Sequence, residues 1–199
     1  MRIGLSLLVH GVAFFSGAVL LGLEIVASRV LAPYFGNSVY VWGSLISVFL
    51  LALSIGYWLG GLLADKSPRL RTLAMVLASA AVFVLILPPV YLPAGRFIAD
   101  MGLEFRFSVL LASVLFFLAP SVLMGMVSPF AIKLSATGLD VIGKTSGQVY
   151  AISTLGSIAG ALAVSFFLIQ WLGTRSIVIV LGSVLLLLAL ACLVFERRG

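Results

Sequence analysis

Residues 177–195 read IVIVLGSVLLLLALACLVF, a stretch that contains no charged side chain. A helix that crosses the hydrocarbon core of a bilayer needs about 20 mainly apolar residues, and this stretch has that length. Arg175 precedes it and the charged residues 196–198 follow it. The charges therefore stand where the two ends of a spanning helix would meet water, and the stretch predicts a transmembrane helix.

Apolar stretches of similar length fill the rest of the chain. Of its 199 residues, 63% are hydrophobic and 9% are charged, and the mean hydropathy is +1.30. A soluble domain carries about 25% charged residues, so this chain is too poor in charge to cover a surface in water. We predict one all-α, six-helix transmembrane domain over residues 1–199, multi-pass in the cell (inner) membrane, with helices at about 5–31, 39–63, 72–87, 107–126, 148–172 and 177–195.

Prolines and glycines set the predicted helix ends. Pro33 with Gly36 is expected to end the first helix, and Pro88 with Pro89 the third. The charged segment 91–106 is then expected to lie along the membrane interface. The N-terminal apolar stretch is longer than that of a secretory signal and lacks a cleavage site of small residues, which favours a retained helix.

The formal charge of +6 has two explanations. Lysine and arginine are scattered over the loops without a dense basic stripe, which argues against nucleic acid as a partner and favours cytoplasmic loops enriched in positive charge. One side of the predicted bundle would hold eight basic residues and the other four, so both termini are expected in the cytoplasm. The eight are Arg2, Lys66, Arg69, Arg71, Lys133, Lys144, Arg197 and Arg198, and the four are Arg29, Arg96, Arg106 and Arg175.

Several kinds of site are not expected. The chain has one cysteine, Cys192, and one histidine, His10, so neither a disulfide framework nor a multi-histidine metal cluster is predicted. It contains no glycine-rich phosphate loop, dinucleotide fingerprint or nucleophile elbow. No cofactor or metal is therefore expected.

A weak internal similarity relates the two halves. Pro33 followed by Val39-Tyr40 resembles Pro129 followed by Val149-Tyr150. The second and fifth helices would enter the membrane from opposite sides, so a true repeat would be a 3+3 inverted repeat, the half-facilitator-like architecture of many transporters. The shared composition of spanning helices explains the similarity equally well.

Glu24 is the most informative single residue, because it lies inside the first predicted helix. A charge at membrane depth costs about 2.5–3.5 kcal/mol on insertion scales unless it is paired or hydrated, so it normally faces a bundle interior or a cavity. Glu24 is then either a cation or proton site that lines a path, or a structural residue that pairs with a basic group such as Arg29 or caps a neighbouring helix end. Arg29 is five residues away and about 140° round the helix, so a partner on another helix is favoured.

Aromatic residues surround the outer ends of the first two predicted helices. Tyr34, Tyr40 and Trp42, together with Glu24 and Arg29, would suit an organic cation. The alternative is an aromatic belt at the membrane interface.

Two G-x-x-x-G patterns are candidate helix-packing sites, and one loop carries a recognisable motif. Gly56 with Gly60, and Gly156 with Gly160, predict close helix packing, within the chain or between chains. The pattern G-x-x-x-D-K-x-x-R, formed by Gly61, Asp65, Lys66 and Arg69, resembles the loop between helices two and three of major facilitator transporters. A plain positive-inside turn is the alternative.

Larger motifs resemble the membrane domain of fused spermidine synthase-like proteins. They are LEIVASRVLAPYFGNS at 23–38 with Trp42, GGLLAD at 60–65, PSVLMGMVSP at 120–129 and GQVYAISTLGS at 147–157. The resemblance covers essentially the whole chain. It places Glu24, Arg29, Pro33, Tyr34, Gly36, Asp65, Pro129, Gln148 and Tyr150 at motif positions.

The resemblance implies a membrane domain linked to polyamine-type metabolism. In that family the domain usually precedes a soluble aminopropyltransferase, whose glycine-rich acidic motif this sequence lacks, so no enzyme activity is expected of it. Three functions remain open: passage of a small cationic metabolite, which predicts a homodimer because facilitators use two six-helix halves; an anchor for a soluble aminopropyltransferase; and an intramembrane enzyme. Gln148 and Tyr150 join the candidate substrate-binding residues.

Overall fold

Six helices in the computed structural model contain segments, 24 to 32 residues long, that are apolar enough to cross a membrane. The structure describes residues 2–136, 138 and 141–198, and this part of the chain holds no β-strand. The all-α, six-helix membrane prediction is confirmed. The helices are α1 (Arg2–Phe35), α2 (Val39–Lys66), α3 (Leu70–Asp100), α4 (Phe105–Ser135), α5 (Ile142–Trp171) and α6 (Thr174–Arg198).

The first helix ends directly before Gly36, which has a φ of +65°, as the sequence indicated, whereas the predicted end of the third helix at Pro88 and Pro89 is wrong. Helix α1 continues through Pro33 to Phe35, and α3 continues through Pro88, Pro89 and Pro93 to Asp100. Residues 91–100 are therefore part of α3 and do not form a separate interfacial segment. Spanning helices tolerate proline because neighbouring helices and local adjustments satisfy the freed carbonyls. At ~1.5 Å per residue, the 31 residues of α3 reach about 46 Å, which exceeds the ~30 Å hydrocarbon core.

Helix α4 also runs past its predicted end at Met126, with two local irregularities. Its segment Val114–Leu118 is a π-helical turn, and α-helical geometry is interrupted at Met126. Pro120 and Pro129 follow these two places, and each lacks the N–H that would bond the carbonyl four residues earlier. The freed carbonyls explain why the helix changes geometry at these points.

Helix α5 begins at Ile142, six residues before its predicted start, and has its own π-helical turn at Ala163–Leu168. The polar loop predicted before it includes Thr137, Leu139 and Asp140, which lie outside the described residues. Helix α6 begins at Thr174 instead of Ile177, because the short break after Trp171 spans only two residues.

Helix α1 lies at the centre of the bundle and contacts all five other helices. Its most extensive partner is α5, while α3 packs mainly on α6, and α2 on α4. The interior is filled by fully buried apolar side chains, among them Leu23, Phe49, Phe117, Leu73 and Leu185.

Both G-x-x-x-G patterns lie at helix contacts within the chain. A Cβ on Gly156 would meet the carbonyl oxygen of Phe14, and one on Gly160 would meet that of Ala18, so these glycines bring α5 against the backbone of α1. Gly60 likewise lies against the backbone of α4, where a Cβ would come within 2.6 Å of the Met126 Cα. Gly56 makes the same kind of contact beside Val122 and Gly125. Only glycine allows such close approach of two backbones.

The loop motif lies where the ends of α2 and α4 meet. The Lys133 Nζ donates to the Asp65 Oδ1 at 2.7 Å and forms an exposed ion pair. Asp65 stands in the last turn of α2, where the helix dipole disfavours an acid, and the lysine offsets that effect. Lys66 and Arg69 flank it and are exposed. A hydrogen bond of 2.9 Å between the Ser67 Oγ and the Thr72 Oγ1 links the turn after α2 to the start of α3.

Candidate functional site

A cavity of about 140 Å³ lies between α1, α2, α4 and α5. Glu24 projects into it from α1, eleven residues before the end of that helix at Phe35. We call this space the Glu24 cavity. Its polar lining residues are Ser16, Glu24, Tyr57, Ser128, Tyr150, Ser153, Thr154 and Ser157, and its apolar ones include Leu20, Leu21, Leu53 and Met124.

Among the residues that the structure describes, Glu24 is the only carboxylate that lines this cavity. Its side chain is half-buried, and among the described residues no lysine, arginine or histidine nitrogen lies within 4.0 Å of the carboxylate. Pairing with Arg29, the structural alternative to a cation site, is not formed here. The carboxylate is thus placed to attract a cation that enters the cavity.

Two serine hydroxyls in the wall can accept further hydrogen bonds. The Ser16 Oγ donates to the Val12 carbonyl at 2.7 Å, and the Ser157 Oγ donates to the Gly17 carbonyl at 3.2 Å. A hydroxyl has one donor and two acceptor lone pairs. With their protons directed to backbone carbonyls, both oxygens retain acceptor capacity, which complements an N–H donor on a cation.

Helix periodicity explains why these hydroxyls share one wall. Ser153, Thr154 and Ser157 stand within one turn of α5, and residues three and four apart lie on the same helix face. Gly17 on α1 lies against the Ser153 backbone and holds the two helices close there. The small residues that bring α1 and α5 together therefore also position the hydroxyls opposite Glu24.

Tyr57, Ser128 and the α5 hydroxyls were missed by sequence reasoning. Serine, threonine and tyrosine are common in spanning helices. Whether their side chains point into a cavity depends on how the helices pack. One usable signal was present: Ser153, Thr154 and Ser157 follow a spacing of three and four residues beside the pattern of Gly156 and Gly160, and that pattern alone was interpreted, as packing.

Arg29 and Trp42 lie in a different place, an open groove of about 770 Å³ at the α1–α2 turn. Asn37, Ser165 and Thr174 also line this groove. The Trp42 Nε1 donates to the Asn37 Oδ1 at 2.8 Å, which fixes the indole. Two of the predicted substrate-binding residues thus belong to this groove, away from the lining of the Glu24 cavity.

The structure does not bring the predicted aromatic residues Tyr34, Tyr40 and Trp42 to the lining of the Glu24 cavity. The Tyr34 hydroxyl donates to the Leu92 carbonyl of α3 at 2.9 Å. The Tyr40 ring packs edge-on against Phe105 at 6.1 Å, with the Arg106 guanidinium 5.7 Å from its centre.

Two local features account for that separation. Because α1 stays helical through Pro33, Tyr34 lies ten residues, or about 15 Å, along the axis from Glu24. Tyr40 and Trp42 stand at the start of α2, whereas the α2 residues at the cavity, Leu53 and Tyr57, come 11 to 17 residues later in the chain.

Of the two remaining candidates, only Tyr150 reaches the cavity. Gln148 is exposed near the start of α5 and is not among the residues that line the cavity or the groove. Over the described residues, no group of three His, Cys, Asp or Glu side chains could hold a metal ion. The chemistry available at the cavity is therefore that of one carboxylate, two phenols and several hydroxyls.

No protein-family model, curated protein or solved structure matches the chain.

Proposed function

We propose that this membrane domain binds a small organic cation in the Glu24 cavity and passes it across the bilayer, as part of polyamine-type metabolism. The observation that carries the proposal is a carboxylate, unpaired among the described residues, in a hydroxyl-lined space between spanning helices. An ionisable residue at membrane depth is costly, and proteins retain it where it serves a substrate or ion path. The sequence resemblance adds the chemical class, an aliphatic amine.

The size of the cavity fits one end of such an amine. A cavity of about 150 Å³ in another protein holds benzene, and butane-1,4-diamine (putrescine) has the same number of non-hydrogen atoms. The Glu24 cavity, at about 140 Å³, therefore accommodates an aminobutyl group with its ammonium at the carboxylate.

The arrangement of helices supports a facilitator-like architecture for the proposed path. The cavity is lined by α1 with α4 and by α2 with α5, while α3 and α6 pack on each other outside it. A 3+3 repeat would relate these helices in the same pairs. The proposal includes cytoplasmic termini in the cell membrane, since the eight basic residues on one side outnumber the four on the other.

Uptake of labelled putrescine into proteoliposomes tests this function. The Glu24→Gln variant keeps the size of the side chain and removes its charge, so we expect its initial rate to fall at least about tenfold, the factor that ~1.4 kcal/mol of lost transition-state interaction produces. Glu104→Gln is the matched control, because Glu104 is exposed and pairs with Arg106 at 2.8 Å at the start of α4. We expect its rate to stay within about twofold of the parent.

Two outcomes would contradict the proposal. One is uptake by Glu24→Gln at the rate of the unchanged protein, and the other is no uptake of putrescine or spermidine by a correctly folded sample. Absence of uptake would favour the alternative role, a membrane anchor for a soluble aminopropyltransferase, since an anchor passes no substrate.

A further inference from the structure

The open groove at the α1–α2 turn is a second space in the bundle, and we call it the Arg29 groove. Its walls include Arg29, Asn37, Trp42, Ser165 and Thr174, and among the described residues it shares no lining residue with the Glu24 cavity. Its volume is about 770 Å³. Ligand pockets in proteins measure about 300–1,000 Å³, so the groove can hold part of a molecule much larger than a diamine.

Arg29 gives this groove a positive charge that the protein does not balance. Among the described residues, no Asp or Glu oxygen lies within 4.0 Å of the Arg29 guanidinium, and none of the residues that line the groove is acidic. The guanidinium is exposed and carries five N–H donors in a planar fork that matches the oxygens of a phosphate. The groove therefore complements an anionic group.

The depth of Arg29 in the membrane favours a lipid headgroup as the source of that anion. The 34 residues of α1 reach about 51 Å, so a centred α1 extends about 10 Å beyond the hydrocarbon core at each end. Arg29 stands six residues, or about 9 Å, before the end of α1 at Phe35, which places it where acyl chains meet headgroups. Trp42 stands three residues after the start of α2, and tryptophan is enriched at that boundary.

The lining of the groove is polar in one part and apolar in another, as a phospholipid is. The Asn37 Oδ1 accepts from the Trp42 Nε1 at 2.8 Å, which leaves the amide nitrogen of Asn37 as a donor. Ile25, one turn deeper than Arg29 on α1, and Ile169 on α5 are apolar lining residues. A free phosphate ion would leave these apolar side chains without a partner, whereas the glycerol and acyl chains of a lipid would cover them.

We propose that the Arg29 groove binds one anionic glycerophospholipid, with the lipid phosphate at Arg29 and the first part of its acyl chains against Ile25 and Ile169. Basic pockets between spanning helices bind acidic lipid headgroups in this way. A lipid with a net negative charge is preferred to a zwitterionic one, because the choline of a zwitterionic headgroup adds a second cation to a groove that has no acid. The site is separate from the Glu24 cavity and goes beyond the proposed transport.

Fluorescence quenching of Trp42 by brominated lipid tests the site. The chain has three tryptophans, and Trp58→Phe with Trp171→Phe leaves Trp42 as the only one. The full chain is reconstituted in phosphatidylcholine vesicles with a small fraction of brominated lipid, either phosphatidylglycerol or phosphatidylcholine. We expect the groove to prefer phosphatidylglycerol about fivefold, the factor that corresponds to the ~1 kcal/mol gained by one basic residue beside anionic lipid.

Two variants separate the groove from a general attraction of anionic lipid to the protein. Arg29→Gln removes the charge from the groove and should abolish the preference. Arg96→Gln is the matched control, because Arg96 is exposed near the end of α3, at the same end of the bundle, and is not among the lining residues of the groove. It removes the same charge, and we expect the preference to remain.

The proposal is overturned if Trp42 shows no preference for phosphatidylglycerol in the parent protein, or if Arg29→Gln and Arg96→Gln retain it equally. Brominated diacylglycerol, which has the same chains without the phosphate, should show no preference over phosphatidylcholine; a preference equal to that of phosphatidylglycerol would mean that apolar contacts alone hold the lipid. Inorganic phosphate should not relieve the quenching, and relief would mean a site for a soluble anion. None of these results depends on whether putrescine crosses the bilayer.

Discussion

Replacing Gly156 with alanine is expected to destabilise the bundle by about 1–3 kcal/mol, the usual cost of forcing an extra methyl group into a packed interior. The added Cβ would collide with the carbonyl oxygen of Phe14. That oxygen belongs to the backbone of α1, so it cannot move aside without shifting the helix. Because α1 contacts every other helix, its displacement would be felt throughout the bundle.

Thermal unfolding in detergent, followed by size-exclusion chromatography of the soluble fraction, measures this effect. The matched control is Gly147→Ala in the same helix, where a new Cβ meets nothing within 4 Å. We expect Gly147→Ala to unfold at the temperature of the unchanged protein or slightly above it, since alanine is the better helix former. Equal unfolding temperatures for the two variants would show that α1 and α5 are not in backbone contact at Gly156.

Gly60 and Gly61 should respond differently to the same change, although they are neighbours in α2. A Cβ on Gly60 would lie 2.6 Å from the Met126 Cα and 2.9 Å from its carbonyl oxygen, whereas one on Gly61 meets nothing within 4 Å. We expect Gly60→Ala to lose about 1–3 kcal/mol and to lower the yield of folded protein, and Gly61→Ala to do neither.

This pair is a sharp test because both variants have the same composition and helix propensity. The comparison uses the same unfolding assay, with yield measured from equal amounts of membrane. If Gly61→Ala were the more damaging of the two, α2 would be rotated by about 100° from the orientation described, which is the angle between successive residues of a helix.

The number and type of helices could be predicted from the sequence because a membrane sets both. An apolar stretch such as residues 177–195 has only one stable way to lie in lipid. The helix ends were less predictable, because a proline rule derived from soluble proteins does not hold where neighbouring helices satisfy the freed carbonyls. Pro88 and Pro89 inside α3 are the clearest example.

The candidate site was predicted only in part, for a physical reason. Glu24 stood out because a single charge inside an apolar stretch needs compensation wherever it lies. Ser153, Thr154 and Tyr57 carry no charge, so their importance depends on which helix face they share and which helix lies opposite. Tyr34 was expected beside Glu24, although it stands ten residues, or about 15 Å, further along α1, and Tyr40 stands at the start of α2.

Water access to position 24 tests the central claim, that a polar cavity inside the membrane bundle holds this side chain. The protein, reconstituted in vesicles in a Cys192→Ser background, would carry Glu24→Cys and react with a water-soluble, ammonium-bearing thiol reagent. Two controls share the background: Leu23→Cys, at a fully buried position next in sequence, and Leu187→Cys, at a 65% exposed position on the α3 and α6 side.

We expect Glu24→Cys to react at least about tenfold faster than either control, since only a hydrated thiol ionises and reacts readily. Putrescine should not alter the rate at the two leucine positions. Reaction at position 24 no faster than at position 23 would mean that no water-accessible cavity surrounds this side chain, and it would contradict the account.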